Sequence, residues 1–183
     1  MTLPIRVLTI SGSLRAGASN TALLEAAGRL APDGMTVRHY PSVGALPHFN
    51  PDDDAPEHGR LPLAVAELRR LVGEADGLLV STPEYAHGLP GAFKNALDWL
   101  VGSTEFPGKP VATISASARS THAQAQLREV LTTMSARLVG RASVVISLPS
   151  REMDAAAIVA DHELSRALRS VLVDLAEAVT HNI

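Results

Sequence analysis

Five short apolar runs rich in β-branched residues recur along the chain, at residues 5–10 (IRVLTI), 35–40, 76–80, 110–115 and 143–148. Between them lie stretches whose apolar residues return at helical spacing. Leu23, Leu24, Ala27 and Leu30 follow the first run, and Leu63, Ala66, Leu68, Leu71 and Val72, stopped at Gly73, precede the third. Residues 92–101 follow the third. Residues 124–138 follow the fourth, with Leu127, Val130, Leu131, Met134 and Leu138 on one face, and residues 163–179 close the chain. Parallel strands need long crossovers, and here every crossover reads as helical. The expected fold is therefore α/β: one domain over residues 1–183, with a five-stranded parallel sheet between two helical layers. Residues 41–60, with four prolines, read as a long polar connection.

In such a sheet ligands sit outside the carboxyl ends of the strands. That directs attention to the loops at 11–20, 81–91 and 115–122. The first, SGSLRAGASN, sets Gly12, Gly17 and Ser19 at the spacing of a triphosphate loop, but Ala18 stands where the lysine should be. The dinucleotide pattern G-x-G-x-x-G is missing too, because Leu14 stands two places after Gly12. What the loop offers is hydroxyls (Ser11, Ser13, Ser19), the Arg15 guanidinium, the Asn20 amide and the N–H groups of a helix starting near Ser19. These suit a terminal phosphate monoester. The plainer alternative is that Ser19 or Asn20 caps the helix while Arg15 stays in water.

Composition narrows the chemistry. There is no cysteine, which excludes disulfides, thiolate metal sites, a cysteine nucleophile and a redox dithiol. A formal charge of −3 without blocks of one sign gives no case for nucleic acid or an anionic membrane. No apolar run reaches bilayer-spanning length, and MTLPIRVLTI reads as a strand rather than an export signal, so a cytoplasmic protein is expected. His48, Asp52, Asp53, Asp54, Glu57 and His58 lack metal-ligand spacing and read as a solvated acidic loop. No G-x-S-x-G is present to mark a serine hydrolase.

GSLRAGASN at 12–20 and TPEYAHGLPGAFKNALDW at 82–99 together resemble the NADPH-dependent FMN reductase family, whose relatives reduce quinones, azo dyes and chromate. LPHFNPDDD at 46–54, ADGLLVSTP at 75–83 and AQAQLREVL at 123–131 extend the resemblance in order and spacing over nearly the whole chain. It implies a flavodoxin-like α/β/α sandwich with strand order 2-1-3-4-5 and bound FMN. It also implies NADPH or NADH as electron donor, a free flavin, quinone or similar small acceptor, and assembly as a homodimer or homotetramer. The cofactor-binding set it implies is Ser11, Ser13, Leu14, Arg15, Ser19 and Asn20 in the first loop, Pro83, Glu84, Tyr85 and Ala86 along the flavin ring, and Ser115 and Ser117 in the third loop. No catalytic acid or base and no metal is implied, because the cofactor carries the chemistry.

Two places depart from the family pattern. Ala86 and Gly88 stand where asparagine and serine are common, and Arg119 and Ser120 stand where a glycine pair is common. Arg119 reads either as a solvated arginine or as a contact for reduced flavin or a nucleotide phosphate. His87 reads either as solvated or as a proton donor to the reduced acceptor. Asp98 and Trp99 read as structural or interfacial, and the helix bearing Phe93, Leu97, Trp99 and Leu100 as a core face or a subunit contact. Aromatic residues are only 3% of the chain, and Tyr85 is alone among them in the three loops. At most one flavin face can then be covered by an aromatic ring, and an open face suits hydride transfer better than one-electron carriage. The competing readings are a non-catalytic flavin-binding or sensor protein, and a phosphate-ligand protein that never binds flavin.

Overall fold

In the computed structural model, which describes residues 4–54 and 61–181, each of the five apolar runs contributes to one parallel sheet. The strands are β1 (Ile5–Ser11), β2 (Met35–His39), β3 (Gly77–Ser81), β4 (Pro110–Ser115), β5 (Arg137–Leu138) and β6 (Val144–Val145). They lie in the flavodoxin-like order 2-1-3-4-5, and β6 pairs with the far end of β4. The register of β1 runs from Ile5 opposite Met35 on one side and from Val7 opposite Gly77 on the other.

Alternation along the strands separates two cores. Val7, Leu79, Ala112 and Ile114 pack on one face with α1 (Ser19–Arg29), α5 (Ala155–Ala160) and α6 (His162–Thr180). Leu8, Ile10, Leu78, Val80 and Val111 pack on the other with α2 (Leu63–Glu74), α3 (Gly91–Val101) and α4 (Thr121–Thr133). Strands buried on both faces read as continuous apolar runs, as these do. Each fully buried large side chain contributes roughly 1.5–3 kcal/mol. Phe93, Leu97, Trp99 and Leu100 are at most 3% exposed, so the chain's own core uses the α3 face. Trp99 also donates from Nε1 to the Pro47 carbonyl at 2.8 Å and meets Phe49 edge-on, while Asn95 bonds both Phe49 N and Pro47 O. That fastens part of the long connection to α3.

Four elements differ from the sequence expectation. The 124–138 helix ends at Thr133, because Ser135 adopts φ 61° and closes a Schellman turn, with Ala136 N bonded to Leu131 O and Ser135 N to Thr132 O. The residues beyond it become β5. The expected strand at 143–148 is only Val144–Val145, preceded by a 3₁₀ turn at Gly140–Ala142, so the fifth strand position is filled by two short pieces. Ala155–Ala160 forms an additional helix, capped by Asp154, whose carboxylate accepts from Ala157 N. Within 41–54 the polar connection contains 3₁₀ turns at Val43–Ala45 and Pro51–Asp53. No helix among the described residues is long and apolar enough to cross a membrane.

Candidate functional site

At the carboxyl end of the sheet, four loops surround a cleft of about 560 Å³, within the range of small-molecule pockets. The β1–α1 loop leaves the sheet at Gly12, whose N–H bonds Ser81 O at 2.8 Å. A Cβ on Gly12 would fall 2.3 Å from Thr82 Oγ1, so only glycine permits this approach to the β3 loop. Gly17, at φ 65°, turns the chain into α1.

The helix then begins without the cap that Ser19 or Asn20 offered in sequence. Its N-cap is Ala18, which has no side-chain acceptor, and Ser19 and Asn20 are already helical. The first-turn N–H groups of α1 therefore have no capping side chain and carry the positive end of the helix dipole. Ser13, Arg15, Ser19 and Asn20 line the cleft beside them. Asn20 is buried and accepts from Ser81 Oγ at 2.8 Å, which leaves its Nδ2 without a hydrogen-bond partner among the described residues. Arg15 forms no ion pair there either.

Opposite stands the β3–α3 loop, from which Pro83, Glu84 and Tyr85 line the cleft. Tyr85 and Gly88 exchange both backbone hydrogen bonds at 3.0 Å, closing a two-residue turn in which Ala86 and His87 have φ of 48° and 60°. Positive φ at both central residues marks a type I′ turn, normally filled by Asn-Gly. Helix α4 holds this hairpin. Glu84 Oε2 accepts from Ala123 N at 2.9 Å, Gln126 Oε1 accepts from Leu89 N at 2.8 Å, and the His87 ring stacks on His122 with centroids 4.4 Å apart. The Glu84 carboxylate thus sits at the amino end of α4, where negative charge is favoured.

The third wall is Ala116, Ser117, Arg119 and Ser120, and the fourth is residues 148–151, from Leu148 to Arg151. The structure thus brings together Ser13, Arg15, Ser19, Asn20, Pro83, Glu84, Tyr85 and Ser117. Ser11, Leu14, Ala86 and Ser115 are not in the lining. Ser11 bonds Thr21 and Ser115 bonds Ser117 O, while Leu14 lies over Gly44, where a Cβ would come within 2.9 Å of its Cδ2. His87 is exposed and is not in the cleft lining. The fourth wall was not among the three loops singled out in sequence, although the rule that picked those loops applies equally to the strand before it. In the acidic stretch, Asp54 pairs with Arg69 at 2.6 Å, and Glu57 and His58 lie outside the described residues. No group of three or more His, Asp or Glu among the described residues is placed to hold a metal.

A parallel 2-1-3-4-5 sheet with an uncapped helix start and a facing hairpin around a cleft at its carboxyl end defines a flavodoxin-like domain. Residues 5–149 match the family model for NADPH-dependent FMN reductase, and the chain belongs to that family. An NAD(P)H-dependent FMN reductase of Pseudomonas aeruginosa is 38% identical over 156 residues, 82% of each chain. A quinone reductase of Escherichia coli is 32% identical over 146 residues, 77% of each. Among solved structures, the flavoenzyme NAD(P)H:(acceptor) oxidoreductase FerB of Paracoccus denitrificans superimposes with a TM-score of 0.76 at 27% identity, covering 97% of this chain and 98% of that one.

Proposed function

We propose that the cleft binds FMN, with its phosphate at the β1–α1 loop and its ring along the β3–α3 hairpin, and that the protein is an NAD(P)H-dependent oxidoreductase passing electrons to a quinone, free flavin or similar flat acceptor. The observation that carries this reading is the uncapped start of α1 beside the unpaired Arg15, facing an α4-braced hairpin across 560 Å³. Ser13, Ser19 and Arg15 then supply short donors and one positive charge to a phosphate monoester. Asn20 contributes its remaining Nδ2–H groups. Pro83, Glu84, Tyr85 and Ala86 form the ring-side hairpin, whose backbone groups serve the ring's polar edge. Ser11 and Ser115 support the loops from behind, Ser117 lines the third wall, and Leu14 props the first loop on the 43–45 turn.

The chemistry supplied there by bound FMN would be hydride transfer between the nicotinamide and the next acceptor. The chain's own contribution is to hold, orient and leave one face accessible, and no side chain is assigned as acid or base. The resemblance also supports a homodimer or homotetramer, which light scattering on the purified protein tests. The test of function is an anaerobic visible spectrum of protein with FMN, followed by NADPH or NADH and then a quinone. A bound-flavin spectrum that bleaches and recovers supports the reading, and a spectrum identical to free FMN refutes it.

A further inference from the structure

Three arginines line the cleft, Arg15, Arg119 and Arg151, and among the described residues their side chains make no ion pair or hydrogen bond. This is not a shortage of acids, since Asp and Glu outnumber Lys and Arg by 19 to 16. Elsewhere the chain pairs several of its cations, Arg6 with Asp76, Arg69 with Asp54, Arg70 with Glu67 and Glu74, and Arg141 with Glu177, while Arg29 and Arg128 stand singly on the surface without an ion pair among the described residues. The one carboxylate in the cleft wall, Glu84, is committed to Ala123 N. Like charges gathered in a concavity repel one another until an anion enters. A single phosphate monoester at the α1 end brings at most two negative charges and already has Arg15, hydroxyls and a helix terminus. Two guanidiniums on the other walls, one after β4 and one after β6, then face no anion.

We propose that Arg119 and Arg151 form a second anion subsite that takes the 2′-phosphate of the nicotinamide nucleotide and so makes the enzyme select NADPH over NADH. This rests on the flavin-oxidoreductase reading of the same cleft. The 2′-phosphate is a monoester, dianionic near neutral pH, and its geometry matches the guanidinium fork. The pyrophosphate is shared by both donors and cannot distinguish them. Arg151 lies beyond residue 149, where the match to the family model ends, so the preference is carried partly by a residue outside the matched region.

The test uses FMN-loaded wild type, Arg119→Ala, Arg151→Ala and the double variant, with Arg29→Ala as a control. Arg29 is equally without an ion pair but lies outside the cleft, in the last turn of α1. Two readouts are taken: KM for NADPH and NADH, and calorimetric binding of adenosine 2′,5′-bisphosphate against adenosine 5′-monophosphate to the oxidised holoprotein. The expected result is a rise of roughly tenfold in the NADPH KM for each single variant, with NADH unchanged and binding of the bisphosphate selectively lost. Arg29→Ala should behave as wild type. Parallel losses for both donors would assign the arginines to the pyrophosphate and overturn the proposal, as would unchanged ratios. Loss of bound flavin from the variants would reassign the two residues to FMN and overturn it as well. Failure of the flavin reading is distinct, because then the wild type itself would not bind FMN.

Discussion

Replacing Ala86 by glycine should make the protein more stable, although glycine ordinarily weakens a fold. Ala86 sits at φ 48° in the hairpin between Tyr85 and Gly88. An L-residue in the left-handed region costs roughly 1–2 kcal/mol. Glycine removes that cost and adds about 0.5–1 kcal/mol of unfolded-chain entropy. The net gain is about 0.5–1 kcal/mol, and at this chain length each kcal/mol corresponds to about 2–4 °C in Tm. Ala86→Asn should gain a similar amount, since asparagine tolerates this region without the entropic cost. His87→Gly should relieve its own strain at φ 60° but lose the stack on His122, roughly 0.5–1.5 kcal/mol, and end near neutral. Urea melts of the flavin-free protein read all three without interference from ligand binding. A clear destabilisation by Ala86→Gly would refute the reasoning, because it would mean that Ala86 is not held at a left-handed angle.

Arg15→Ala should weaken FMN roughly tenfold or more while leaving riboflavin, which lacks the phosphate, nearly unchanged, and fluorescence titration of both flavins reads the ratio. Equal losses would remove Arg15 from the phosphate site. Glu84→Gln should cost roughly 0.3–1 kcal/mol in thermal melts by removing a negative charge from the start of α4. Glu84→Ala should cost more, because the acceptor for Ala123 N goes as well. The Arg6 guanidinium, hydrogen-bonded to Asp76, holds that carboxyl below its ordinary value. Its stabilising contribution is complete above the unfolded value, about pH 4, and is lost as pH falls through the lower folded value. Asp76→Asn should therefore cost stability at neutral pH and flatten the acid limb of a pH–stability curve. A limb of unchanged steepness would remove Asp76 from that titration.

The parallel sheet was legible because runs such as LLV at 78–80 are apolar on both sides and the intervening helices carry one clear face, whereas its strand order came from the family resemblance. The placement of the β1–α1 loop on the cleft was legible too, since its glycines and serines mark a strand-to-helix turn at the carboxyl end of β1. Ser135 hid the end of α4, because a Schellman turn normally announces itself with glycine and the apolar spacing continues to Leu138. The bracing of the hairpin by Ala123, Gln126 and His122 joins residues some 35–39 positions apart. No periodicity marks a contact of that kind. Arg151 follows the run at 143–148, which reads as a strand and to whose loop the carboxyl-end rule applies equally, although only two of its residues pair in the sheet.

Those two residues have a kinetic consequence. The β1–α1 loop and the β3–α3 hairpin leave from β1 and β3, the two central strands, each paired on both sides. The wall bearing Arg151 leaves from β6, an edge piece whose register with β4 covers only Ile114–Val144 and Ser115–Val145, extended by the bonds of Ile146 N to Ser115 O and Leu148 N to Ala116 O. Amide protons near 144–151 should exchange much faster than those of 7–11. The cleft should thus be slow on one side and fast on the other. On the proposed reading, a flavin moored to the slow side would outlast many turnovers, while nucleotide and acceptor would come and go past the side that opens.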